Sequence, residues 1–139
     1  MHKKVFGKKL GRNRRSRKAL FRSLARAVVL HGKIKTTKAK ALALRPELDK
    51  LMKLVKKGTL SARREALAVL GNDKEATEAL FKKYQALAVS RSSGFTKIAL
   101  LPSRRGDNAD MVNIFWSEEP VPIKEEKVKT KVKAEGKKK

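Results

Sequence analysis

The side chains best placed to do chemistry in this 139-residue chain are cations, and their chemistry is the holding of phosphate. Lys18, Arg22 and Arg26 recur at i, i+4 and i+8, one stripe along a helix that carries no acid. Each like-charge pair disfavours an isolated helix by roughly 0.2–0.5 kcal/mol, which a row of phosphates would offset. Groups for covalent or acid–base catalysis are missing by comparison. No acid pairs with a histidine as a general acid or base, and no serine has a base and an orienting acid near it in sequence. The two histidines are His2 and His31. His31 precedes Gly32 at a helix stop, where a cation complements the C-terminal dipole. The chain has no cysteine, which excludes disulfides and thiolate metal sites. Gly32-Lys33 has neither the loop nor the Ser/Thr of a P-loop, and Arg105-Gly106-Asp107 reads as a polar loop turn. No enzyme, no metal and no cofactor is expected.

Charge location sharpens this reading. The chain carries 37 Lys and Arg against 13 Asp and Glu, a net charge of +24. Residues 1–40 hold 15 of the cations and no acid, the first acid being Glu47. Such a block repels itself and weakens a compact state. A polyanion supplies the missing countercharge and gains entropy through counterion release. Nucleic acid is the expected partner, with an anionic membrane surface the minor competitor. No apolar run approaches the ~20 residues of a membrane span, and no secretory leader opens the chain. The expectation is a cytosolic protein with no membrane partner and no small-molecule substrate. Zinc fingers need cysteine, a leucine zipper needs sustained heptads, and an aromatic-rich RNA-recognition strand is at odds with 5% aromatic residues.

The elements that must position the cations are legible in outline. Residues 1–15 have two glycines and no helical period, so they read as an extended basic arm. Val5, Phe6 and Leu10 in it either stack on bases or anchor the arm to the body. Asn13 or Ser16 caps a helix over about 16–31 with Leu20, Leu24, Ala27 and Val28 as its stripe. Lys33–Thr36 reads as a short strand, and Thr37 caps a helix over 38–57 that buries Leu48, Leu51, Met52 and Val55. Pro46 kinks or restarts that helix. Ser61 caps a helix over 62–70, with Ala66, Leu67 and Leu70 inward. Asn72 or Asp73 opens another over 73–88, striped by Ala76, Leu80, Tyr84 and Leu87. Residues 95–101 and 111–116 alternate as strands that pair antiparallel, with the Ile34 strand joining them. Thr96, Ile98 and Leu100 share one face, as do Val112, Ile114 and Trp116. The fold class is α+β in two layers, ordered α-β-α-α-α-β-β, a small and mostly antiparallel sheet packed on helices. Three regions follow: a basic arm over 1–15, a globular domain over 16–116, and a flexible Lys/Glu-rich tail over 117–139.

Ordered motifs then carry a resemblance. Leu10-Gly11-Arg12-Asn13, Arg17-Lys18-Ala19-Leu20, His31-Gly32-Lys33-Ile34-Lys35-Thr36-Thr37 and Ala39-Lys40-Ala41 follow one another in register. Leu44-Arg45-Pro46, Ala62-Arg63-Arg64, Gly94-Phe95-Thr96-Lys97-Ile98 and Arg104-Arg105-Gly106-Asp107 complete the series across about residues 1–116. This pattern resembles the bacterial large-subunit ribosomal proteins of family seventeen. The resemblance implies a structural component of the large ribosomal subunit, ribosome-associated in the cytoplasm. Its implied partners are 23S-type ribosomal RNA and neighbouring large-subunit proteins. Carried over by position, the implied RNA-facing residues are Lys3, Lys4, Lys8, Lys9, Arg12, Arg14, Arg15, Arg17, Lys18 and Arg22. Thr36, Thr37, Lys38 and Lys40 follow at a helix N-terminus, where free N–H groups suit phosphate. Arg91, Ser92, Ser93, Gly94 and Lys97 form a second region with Arg104 and Arg105. A general nucleoid-type DNA-binding protein is the alternative that the charge alone would allow.

Overall fold

A computed structural model describes residues 8–118. Lys3, Lys4 and nearly all of the 117–139 segment lie outside the described residues. The elements run α1 (Arg14–His31), β1 (Lys33–Thr37), α2 (Lys38–Lys57), α3 (Leu60–Val69), α4 (Lys74–Lys83), α5 (Gln85–Ser90), β2 (Thr96–Leu101) and β3 (Met111–Trp116). The class is α+β as expected, with one helix more than the sequence indicated.

Local chemistry explains most boundaries. The Asn13 side chain accepts from Ser16 N at 2.8 Å and starts α1. Thr59, not Ser61, caps α3, accepting from Ala62 N at 3.2 Å, so that helix begins two residues before the expected start. Asp73 caps α4 through Ala76 N at 3.1 Å. Thr37 stands at the α2 N-cap without a side-chain cap bond, and α2 runs on through Pro46 as one helix. Between α3 and α4 the Asn72 N–H reaches Leu67 O at 2.8 Å and the Gly71 N–H reaches Ala68 O at 3.3 Å. That pairing closes the helix with a left-handed residue, and Gly71 fills it at φ +78°.

β3 is the central strand, in the order β1-β3-β2, and both pairings are antiparallel. Ile34, Ile114 and Ile98 lie in one row across the strands, and Thr36, Val112 and Leu100 in the next. Val112, Ile114 and Trp116 point inward to the helices and are buried. The expected face of β2 is correct in register, but Leu100 is 73% exposed. All four α2 stripe residues and all four of the Ala76–Leu87 stripe are buried. The α1 stripe is rotated: Ala25, Val28 and Val29 are buried, while Leu20, Leu24 and Ala27 are half-buried. The helix has a wide apolar arc, and contacts with its neighbours select the side that includes Ala25 and Val29.

The expected helix over 73–88 is divided at Tyr84, whose φ of −115° leaves helical geometry. No glycine or proline marks this break. Tertiary packing makes it: the Tyr84 ring lies 4.5 Å from the Trp116 ring, tilted by 36°. The Tyr84 hydroxyl donates to Val29 O and the Trp116 indole Nε1 donates to Val28 O, both at 3.2 Å and both buried. Val29 O is a last-turn carbonyl of α1, a position where helix acceptors lack intrahelical partners, whereas Val28 O already accepts from the Gly32 N–H at 2.9 Å and takes the indole as a second donor. The only tyrosine and the only tryptophan of the chain therefore close the C-terminal end of the first helix.

Burial pushes the Tyr84 phenol up to about 12 from an ordinary 10.0. The neutral phenol is the form the fold requires, so its contribution to stability is complete below pH 10 and is lost as pH rises toward 12. Phenolate absorbance reports this group alone. It should titrate near pH 12 in the native protein and near 10 in denaturant. Tyr84→Phe leaves a buried carbonyl without that donor and should cost about 1–3 kcal/mol in urea unfolding.

Candidate nucleic-acid interface

The cations expected at the interface fall into three groups with different surroundings. In the first, the segment before α1 is not extended throughout. Lys9–Arg12 form a tight turn closed by Arg12 N to Lys9 O at 3.2 Å, with positive φ at Leu10 and Gly11. Two consecutive left-handed residues define the type I′ geometry, which glycine accepts readily and leucine does not. Arg17 holds the turn, donating to Arg12 O at 3.1 Å and Lys9 O at 3.4 Å. The helix takes in Arg14 and Arg15, so the expected arm ends earlier than residue 15. Lys8, Lys9, Arg14, Arg15 and Lys18 are exposed and have no acidic partner among the described residues. Arg14, Arg17, Lys18 and Arg22 line a groove of about 300 Å³ against Glu47 and Leu51 of α2 and Val69 of α3.

The α1 basic stripe, expected to hold phosphate along one face, has intramolecular partners at two of its three cations. Arg22 turns to the end of α3, donating to Ala68 O at 3.4 Å, and its side chain lies 3.5 Å from where a Cβ on Gly71 would stand. Arg26 pairs with Asp73 on α4 through its Nε at 2.6 Å and a second, shorter bond from Nη2. Only Lys18 of the three is turned outward without such a contact. The physical reason is the α3–α4 turn: it presents the carbonyl end of one helix and the acidic cap of the next side by side, and two arginines satisfy both. The Ala76 N–H and the Arg26 guanidinium hold the Asp73 carboxyl below its ordinary range.

The second group surrounds the start of α2. Lys8, Thr37, Lys38 and Ala39 share a shallow depression of about 510 Å³ with Asn108, Ala109 and Asp110. The N-terminal segment is thus brought against the second helix, a meeting that the sequence did not reveal. Lys38 N donates to Asp110 O at 3.0 Å, and its ammonium stands 3.7 Å from the Asp110 carboxylate. Lys40 is half-buried and Thr37 half-exposed. Thr36, expected among the RNA-facing residues, is buried on the helix side of the sheet, because alternation along β1 turns it inward.

The third group is split. Arg91, Ser92, Ser93 and Gly94 precede β2, whereas Arg104 and Arg105 follow it. Six strand residues place the two loops about 17 Å apart, at opposite ends of the sheet. Lys97 is exposed on the sheet between them. Arg91 pairs with Glu118 at 2.9 Å. Arg104 donates to both oxygens of Asp107, at 3.0 and 2.5 Å. That guanidinium, with the Ala109 N–H, holds the Asp107 carboxyl down at about 2, and the carboxylate raises Arg104 in turn. The Arg105-Gly106-Asp107 tripeptide is therefore a loop turn whose acid is occupied. Arg105 and the two serines are exposed, and the space around Gly94 is open. Lys33 and Lys35, exposed on β1, extend the cationic surface beyond the residues expected from sequence; the period-two alternation of that strand was the available signal.

Among the described residues no cluster of three acidic or histidine side chains could hold a metal, and no helix is long and apolar enough to cross a membrane. The exposed cations on loops and helix ends give this small α+β body an electropositive surface. The family model described as ribosomal protein L17 matches residues 20–116. The large ribosomal subunit protein bL17 of Persephonella marina is 45% identical over 121 residues, covering 86% of this chain and 98% of that protein. Its counterpart from Methylacidiphilum infernorum is 41% identical over 119 residues, covering 86% and 90%. The chain belongs to the ribosomal protein L17 family, whose members are structural components and not enzymes.

The depressed Asp73 carboxyl sets a pH dependence. A carboxyl held below its ordinary 3.8 contributes stability above that pH and loses it as pH falls through the folded value. Urea midpoints of the wild type should fall below about pH 4. Those of Asp73→Asn should start lower at neutral pH and change less over the same range.

Proposed function

We propose that the chain is a structural constituent of the large ribosomal subunit that binds and stabilises folded 23S-type ribosomal RNA and so supports translation on cytoplasmic ribosomes. The observation that carries this reading is 41–45% identity to large-subunit L17 proteins over 86% of the chain. The charge arrangement supports the RNA part. Lys3, Lys4, Lys8, Lys9, Arg12, Arg14, Arg15 and Lys18 supply phosphate contacts from the arm and the first turns of α1. Lys38 and Lys40 at α2 supply more, as do the loops at either end of β2. Arg17 acts by shaping the arm. Arg22 and Arg26 act by holding the α3–α4 turn. Neighbouring large-subunit proteins are the further partners, and the 117–139 segment is not required for RNA affinity.

Binding of the full chain to large-subunit ribosomal RNA, competed by equal-length duplex DNA at matched salt, tests the reading. Selective retention on the RNA is expected, and preference for DNA overturns it in favour of a nucleoid-type protein. Neutralising about 6–10 phosphates should lower affinity by roughly 10³–10⁵ between 50 and 200 mM salt if duplex behaviour carries over. Deleting residues 2–15 should flatten that slope, whereas deleting 117–139 should not. Lys18→Gln should reduce the slope with little change in folding stability. Arg26→Gln should do the reverse, lowering the urea midpoint with the slope unchanged.

A further inference from the structure

Among the described residues the helices pack on one face of the sheet and leave most of the other uncovered. Alternation assigns Lys33, Lys35 and Thr37 of β1, Lys97, Ala99 and Leu101 of β2, and Met111, Asn113 and Phe115 of β3 to the outer side. Burial agrees around Phe115: Lys33, Lys35, Lys97 and Ala99 are exposed and Phe115 is half-exposed, whereas Val112, Ile114 and Trp116 are buried in the core; at the other end of β3, Met111 is covered, at 8% exposed. Phe115 lies on the central strand, directly opposite Lys33 on one side and Lys97 on the other. Directly opposed residues have Cβ atoms about 4.5–5.5 Å apart, so one aromatic ring is flanked by two ammonium-bearing stems. The face carries three lysines and no acid.

We propose that this outer face binds an unpaired base of RNA, with Phe115 as the stacking platform and Lys33 and Lys97 holding the phosphates on either side. The proposal rests on the RNA-binding reading above and adds a contact of a different kind, one that no ion pair supplies. Two features favour RNA over a protein partner. The positive charge is unbalanced on the face itself, and each lysine is borne by the strand next to the one that carries the ring, about 4.8 Å away. An aromatic face accepts any base, and lysines accept the backbone that joins it to the next. A purely electrostatic face would have no use for a phenylalanine at its centre, where exposed apolar area is unfavourable.

The test compares full-length wild type, Phe115→Leu, Phe115→Tyr and Lys33→Gln/Lys97→Gln on large-subunit ribosomal RNA across a salt series, with thermal melts as fold controls. Stacking predicts that Phe115→Leu loses roughly 5- to 100-fold in affinity with an unchanged salt slope. Phe115→Tyr should bind as wild type does, and the double lysine variant should lose slope. Equal affinity of Phe115→Leu and wild type overturns the platform while leaving the proposed function standing, and it assigns the outer face to a protein neighbour. Should wild type show no selectivity for ribosomal RNA, the proposed function fails. The same variants on unstructured polyadenylate then decide the platform independently: a Phe115→Leu loss there supports it, and no loss overturns it.

Discussion

The end of α1 governs the organisation of the molecule. A helix that stops in the interior leaves carbonyl groups that water cannot reach, and buried acceptors need donors. Two side chains from distant parts of the chain act there: Tyr84 meets that need at Val29 O, and Trp116 adds a second donor at Val28 O, which the Gly32 N–H already bonds. Satisfying them fixes where α4 must bend and where β3 must end. It also brings the rings together at 4.5 Å, so the same pair that caps the helix forms an aromatic contact across the core. The helical layer and the sheet are joined at this point by hydrogen bonds as well as by apolar packing.

A second constraint comes from carrying so many cations on so small a body. The fold does not treat them alike. Arg17, Arg22 and Arg26 bind carbonyls or a carboxylate and serve as struts of the protein itself. Their planar, multiply donating guanidinium suits that work better than a lysine ammonium does. Lys8, Lys9, Lys18, Lys33, Lys35 and Lys97 remain exposed. In these examples arginine is used to shape the scaffold and lysine to present charge.

Sequence periodicity revealed what depends on local repetition. The stripe of α2, the apolar positions from Ala76 to Leu87, the strand over residues 111–116 and the α+β class all follow from spacing and turn chemistry, which also narrowed the first and fourth helix caps to two residues each. What it could not reveal depends on partners far away in the chain. The division at Tyr84 has no local breaker behind it. The turn of Arg22 and Arg26 toward α3 and α4 needs the helix arrangement, and so does the rotation of the α1 stripe toward Ala25 and Val29. The two loops flanking β2 were grouped by composition, yet the strand between them holds them at opposite ends. The ribosomal family was legible because ordered motifs across the chain carry information that no single cation cluster does.

The position of β3 has a consequence for synthesis. The strand that occupies the middle of the sheet is the last of the three to leave the ribosome making it, and Trp116 lies 88 residues after the carbonyl it caps. Until Met111–Trp116 are made, β1 and β2 have no strand between them and α1 lacks one of its two long-range donors. The nascent chain therefore displays its cationic first forty residues to the RNA-rich surroundings before its body can close. Such dependence on non-local contacts slows folding, and it ties closure of the domain to the arrival of its final strand.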